Sequence, residues 1–175
     1  PESDPAFHPA LGDMIRQLRK MGAAWTINTG RSLSQTLQGL GSHGIFMEPD
    51  FIIAQECEIY KPGIFTKWTD YGSWNRQARK AHERFMKDHQ KSLDAIRRMV
   101  ETETSAEFMT GDLGELGIVA TTDEELDHIC RYIASHQGEF PDIGYHRNGI
   151  YLRFSHSAYS KGSALGELSR LLGVT

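Results

Sequence analysis

Ala24-Trp-Thr-Ile-Asn-Thr-Gly-Arg-Ser32 decides how the rest of the chain is read. Residues Ala24 to Thr29 have strand character, Gly30 breaks the run, and a helical pattern then starts. Ser32 is placed as its cap, with Leu33, Leu37 and Leu40 along one side. A strand that ends in a small hydroxyl residue and a glycine, then feeds a helix N-terminus, suits an anion. Amides of the first helical turn and the Thr29 hydroxyl can both point at a phosphate. The same residues also read as a plain capped turn with no ligand.

Outward from this stretch, the first half alternates helix and strand. Pro9 to Met21 is an amphipathic helix, with Leu11, Met14, Ile15 and Leu18 on one face and Gly22 as its stop. Gly39-Leu-Gly-Ser-His-Gly44 has the form G-x-G-x-x-G but follows a helix, so it reads as a helix end and loop. Asp50 to Gln55 is a short apolar run of the kind buried in parallel sheets. Glu56 to Tyr60 is a further strand, turned at Lys61-Pro62-Gly63. This rhythm indicates an α/β sheet with right-handed crossovers.

From about Ile64 to Phe154 the pattern changes. Ser73 to Val100 is a charged helical stretch with a break expected near Asp88-His89. Glu107 to Met109 and Leu116 to Thr121 are strands around a Gly-rich turn. Asp123 to His136 is a helix capped by Thr122 or Asp123. Tyr145 to Gly149 and Ile150 to Phe154 form a hairpin with Asn148-Gly149 at its turn. The region is a small α/β layer.

With 175 residues, 39% of them hydrophobic, the chain can bury a core as one domain or two small ones. A net charge of −4 with scattered basic residues argues against a nucleic-acid surface. No apolar run reaches the length of a membrane span and no signal peptide is visible. Cys57 and Cys130 have no metal or redox spacing, and fit a reduced, cytoplasmic protein. The eight histidines show no ligand spacing; His146 and His156 could line the junction of cap and core, but ordinary surface histidines are the favoured reading. Gly111-Asp-Leu-Gly-Glu115 is assigned no metal role, because a hairpin turn explains it.

The second decisive stretch is Ser160-Lys161-Gly162-Ser163-Ala164-Leu165. It opens a helix with a lysine in the first turn, where the helix dipole disfavours a cation unless an anion is bound nearby; taken alone, the lysine reads equally as a solvated surface residue. Thr-Gly-Arg-Ser at a strand end, followed much later by Lys-Gly-x-Ala-Leu-x-x-Leu, resembles motifs II and III of the haloacid dehalogenase superfamily. It is most similar to the branch of Mg-dependent phosphatases with a large cap between those motifs. Glu58-Ile59-Tyr60, with Trp68 and Trp74 behind it, resembles the sucrose-phosphate phosphatase subfamily. The Asn-Gly pair that most capped relatives carry near Glu56 and Cys57 is absent.

The resemblance implies a Rossmann-like core from residues 1–60 and 158–175, incomplete in these residues, with an inserted α/β cap from 61–157. It implies phosphoryl transfer to an aspartate and hydrolysis of the aspartyl-phosphate. Thr29 and Lys161 take catalytic roles, with Thr29 on a phosphoryl oxygen and Lys161 neutralising charge. Gly30 and Arg31 lie at the phosphate, and cap residues Arg147, Tyr151 and Arg153 select the leaving group. The substrate is expected to be a small phosphorylated metabolite, foremost a sugar phosphate. The nucleophile and the Mg²⁺ ligands are expected outside the 175 residues, since neither acidic motif is present. The competing reading is a degenerate, non-catalytic module that binds a phosphate or a partner.

Overall fold

The computed structural model describes residues 8, 10–42, 47–110, 116–136, 138 and 143–174. The first elements are α1 (Leu11–Lys20), β1 (Thr26–Asn28), α2 (Leu33–Ser42), β2 (Phe51–Ala54), β3 (Glu58–Pro62) and β4 (Trp68–Asp70). They are followed by α3 (Trp74–Asp88), α4 (Gln90–Glu103), β5 (Glu107–Thr110), β6 (Leu116–Val119) and α5 (Asp123–Ser135). The chain closes with β7 (Ile143–Asn148), β8 (Tyr151–His156) and α6 (Lys161–Leu172). It divides into two compact units, one of Pro1–Ala78 with Ser160–Thr175 and one of Arg79–Tyr159.

The first unit is built on a sheet of order β1-β2-β3-β4, parallel between β1 and β2 and antiparallel beyond. The Phe-Ile-Ile-Ala run of β2 explains its place inside the sheet: Ile52, Ile53 and Ala54 are fully buried. Ala164 and Leu168 of α6 pack on Ile53 and Ile59. The α6 helix therefore returns from the far end of the chain to the strands that follow Thr29. The strand β3 runs on through Lys61 and Pro62, where a turn is expected from sequence. Lys61 and Pro62 pair with Thr69 and Trp68 of β4, and the reversal falls at 63–67. Residues 61–78 accordingly group with the first unit, whereas the boundary from sequence falls after residue 60.

One side chain fastens the start of α3 to this sheet. Asn75 is fully buried. Its Oδ1 accepts from the Ile59 amide at 2.7 Å and its Nδ2 donates to the Ile59 carbonyl at 2.9 Å. The side-chain amide thus satisfies both backbone groups of one strand residue.

The second unit is a four-stranded antiparallel sheet of order β5-β6-β8-β7 with α4 and α5 in its core. Ile96 and Val100 of α4 and Leu126 and Ile129 of α5 meet Ile118, Leu152 and Phe154. Strand alternation puts Leu152 and Phe154 on the helix-packed face, hence Tyr151 and Arg153 on the other. The α3 and α4 helices are separated at His89, where the sequence reading has its break. Between β7 and β8 the two turn residues are Gly149 and Ile150, not Asn148 and Gly149. Asn148 is the last paired residue, opposite Tyr151, and Gly149 carries the positive φ of 56°. The Gly111–Glu115 segment lies outside the described residues, as does the end of the Gly39–Gly44 loop.

The cap of α5 ties two loops to the helix. Thr122 Oγ1 accepts from the Glu125 amide at 3.1 Å, and the Glu125 carboxylate accepts from the amides of Thr121 and Ser105. These bonds hold the Glu125 carboxyl below its ordinary range, the Thr121 amide contributing most. A depressed folded-state value gives stability that is present above the unfolded value and lost as pH falls through the folded one. Glu125→Gln should therefore flatten the acid limb of a stability–pH profile measured by urea unfolding. Asn75→Ala should lower unfolding free energy by about 1–3 kcal/mol, because the buried Ile59 amide loses its partner while the Ile59 carbonyl keeps only the Tyr71 amide; denaturant titration measures it.

Candidate functional site

Where β1 and β2 end, their following turns meet. The Thr29 amide donates to the Ile53 carbonyl at 2.9 Å, extending the parallel ladder by one step. The Glu56 amide donates to the Thr29 carbonyl at 3.2 Å, and the Gln55 amide to the Arg31 carbonyl at 2.9 Å. The two turns are thereby cross-linked through their backbones. Gln55 and Glu56 take positive φ of 48° and 69°. Gly and Asn adopt this left-handed region readily, and other residues do so at about 1–2 kcal/mol each. The conformation is the one that an Asn-Gly pair would supply, and here it is held by bulkier residues.

The α6 N-terminus completes the cluster. Ser160 and Ser163 form a reciprocal cap, the Ser163 amide donating to Ser160 Oγ at 3.2 Å and the Ser160 amide to Ser163 Oγ at 2.8 Å. Asn28 Nδ2 donates to the Lys161 carbonyl at 3.2 Å, locking the first turn of α6 to the end of β1. The Lys161 ammonium reaches the Glu56 carboxylate at 3.3 Å. The lysine side chain is 50% exposed and the glutamate 16%, so the carboxylate is the fixed partner and the ammonium the movable one.

The donors differ from those expected of a bare helix start. The Ser32 amide donates to Gln35 Oε1 at 2.9 Å, and the Gln35 amide to Ser32 Oγ at 3.3 Å. Ser32 therefore caps α2 as its position suggests, and in doing so consumes two of the amides read as anion donors. The Arg31 amide is taken by Thr29 Oγ1 at 3.2 Å. Side-chain donors at this edge include the Thr29 hydroxyl and the Lys161 ammonium. Gly30 and Arg31 lie in the same turn, with the Arg31 side chain exposed.

The residues assigned to leaving-group choice separate within the second unit. Arg147 is opposite Leu152 and so on the helix-packed face, where its guanidinium pairs with Asp127 and with Asp123 at 3.0 Å. Its hydrogen bonds to Asp127 first, and to Asp123 second, raise its pKa further above the usual value. Arg147 thus braces the hairpin to α5. Tyr151 and Arg153 share the opposite face with His146, the partner of Arg153. His156 packs on Phe85 and Tyr159, with ring centroids at 6.2 and 5.6 Å. The sequence reading missed Glu56 and Asn28, although the absent Asn-Gly pair marked the turn that carries Glu56.

Among the described residues no group of three or more His, Cys, Asp or Glu side chains could hold a metal. The carboxylate that does reach the cluster, Glu56, is paired with Lys161. These residues do not make a magnesium site. Cys57 and Cys130 are not joined in a disulfide, and burial pushes the Cys130 thiol above its ordinary pKa. No described helix is long and apolar enough to cross a membrane.

Solved structures of similar fold include the sucrose-phosphatase of Synechocystis sp. PCC6803, solved with sucrose and phosphate. It is 14% identical at a TM-score of 0.65, over 94% of this chain and 63% of that one. The chain has the haloacid dehalogenase fold. A haloacid dehalogenase-like hydrolase from B. subtilis superposes with a TM-score of 0.63 at 12% identity, over 97% of this chain and 74% of that one. The IMP-nucleotidase of Plasmodium falciparum gives 0.64 at 14% identity, over 97% and 52%. The chain thus spans between half and two thirds of the sucrose-phosphatase and the nucleotidase. No family model matches the sequence, and no curated protein matches it.

Within a haloacid dehalogenase fold the α6 cap matters because it fixes where Lys161 starts. Ser160→Ala should cost about 1 kcal/mol of stability, read from the shift in a urea midpoint, and Ser160→Asp should restore most of it.

Proposed function

We propose that this chain is the phosphate-binding and cap-bearing part of a phosphohydrolase acting on a small phosphorylated metabolite, foremost a sugar phosphate. The observation that carries this reading is the convergence of the Thr29 turn and the α6 N-terminus on one strand edge. It is supported by the Asn28–Lys161 and Glu56–Lys161 contacts. The fold shared with a sucrose-phosphatase and an IMP-nucleotidase is consistent with it.

In this reading Thr29 donates its hydroxyl proton to a phosphoryl oxygen. Lys161 swings its ammonium onto the same group and offsets charge that grows on the oxygens during transfer. Gly30 leaves room beside the turn. The first unit, discontinuous in sequence, is the core, and the second is the cap, where Tyr151 and Arg153 select the leaving group. The acceptor carboxylate that forms the aspartyl-phosphate, and the ligands of Mg²⁺, are not supplied by the described residues. A second reading, a non-catalytic phosphate- or partner-binding module, is favoured by the ion pair that already neutralises Lys161.

The test is hydrolysis of p-nitrophenyl phosphate with Mg²⁺ by three proteins: these 175 residues, the complete gene product, and its Lys161→Ala variant. Turnover is expected in the complete product alone. The variant should fall by about 100-fold or more, the usual scale for losing one preorganised charge donor. A complete product that binds phosphate and never turns over would establish the binding module instead.

A further inference from the structure

We infer that Glu56 is the resident anion of the strand-end cluster: it holds the Lys161 ammonium while no phosphoryl group is present, and competes with inorganic phosphate for it. This rests on the reading of the cluster as a phosphate site. Three observations carry it. The Glu56 carboxylate lies 3.3 Å from Lys161 Nζ and is only 16% exposed, so it is presented to the lysine from a fixed place. Its backbone is pinned by the hydrogen bond to the Thr29 carbonyl, within the turn that would hold the phosphate. And it stands at φ 69°, where glycine would be relaxed, so the carboxylate is kept against a conformational cost.

A phosphate on Lys161 must sit beside this carboxylate, and like charges at a few ångströms disfavour one another strongly. The lysine is half exposed, so its pairing with Glu56 is weak enough to be exchanged. Its three N–H donors allow it to turn from one acceptor to the other. The consequence is a site that releases inorganic phosphate readily. When the product leaves, Glu56 takes the ammonium back, and product inhibition is limited.

The experiment is calorimetric titration of inorganic phosphate into this chain and its Glu56→Gln, Glu56→Gly and Lys161→Ala variants, each first shown to melt cooperatively. Loss of binding in Lys161→Ala supports the phosphate site itself. Binding about tenfold tighter in both Glu56 variants than in the unaltered chain is the expected result, with Glu56→Gly also melting higher because its strain is gone. Lysine-dependent binding that is unchanged or weaker in the Glu56 variants would overturn the competition and leave the phosphate site standing. Binding that survives in Lys161→Ala would remove the phosphate site and the inference together. Glu56→Gly relaxes the turn, so a folded variant without the carboxylate is at hand even if Glu56→Gln does not fold.

Discussion

Thr26 with Phe51, Ile27 with Ile52 and Asn28 with Ile53 bind two strands that run the same way. Two parallel strands deliver both of their following turns to one edge, whereas an antiparallel pair would send them to opposite edges. That register is why Thr29 and Glu56 can be hydrogen-bonded neighbours. It also fixes what α6 must do: packing Ala164 and Leu168 on Ile53 and Ile59 carries the helix start to the same edge. Lys161 arrives there because of an apolar contact several residues away. The site is thus a consequence of a buried Ile-Ile pair as much as of its polar residues.

The elements that local pattern could reveal were largely legible. The 3.6-residue apolar spacing of α4 and α5, the Thr122 cap and the apolar run of β2 are encoded by neighbours in sequence. What was not legible depends on partners far along the chain. The β3 strand contains Lys-Pro and reads as a turn, yet it is paired through Pro62 because β4 waits on its other side. Proline at the last position of a strand removes only one donor, so pairing on one side suffices. The role of Asn75 is likewise invisible locally, since its partner is 16 residues away. The site shows the same division. Thr29 and Lys161 were recognisable as motif residues, while the Glu56 contact joins residues more than a hundred positions apart.

The turn between β2 and β3 shows how that distance is bridged. Two consecutive non-glycine residues in the left-handed region cost together about 2–4 kcal/mol. Around them the structure places the Gln55 bond to Arg31, the Glu56 bond to Thr29 and the Cys57 bond to Ala54 at 3.1 Å. The Trp74 indole adds a bond to the Cys57 carbonyl at 2.7 Å. Each such bond contributes about 0.5–1.5 kcal/mol net, so together they are of the same size as the strain they oppose. A turn so balanced keeps its shape only while the strands and α3 on either side keep theirs.

Charge is distributed on the same principle. Arg147 is committed to two carboxylates of α5, and its guanidinium has a planar fork suited to holding both at once. A group so held is poorly placed to meet a ligand, because binding would require breaking contacts that brace a hairpin. Among the described residues Lys161 has one carboxylate partner, half its side chain in solvent, and a flexible stem. Exchange of that single exposed pair costs little, whereas the backbone around it is locked by the Ser160 cap and the Asn28 bond. If the cluster is the anion site proposed above, a rigid base carrying one loosely held cation suits it: the base sets the position, and the weakness of the pair lets an incoming anion compete for the ammonium.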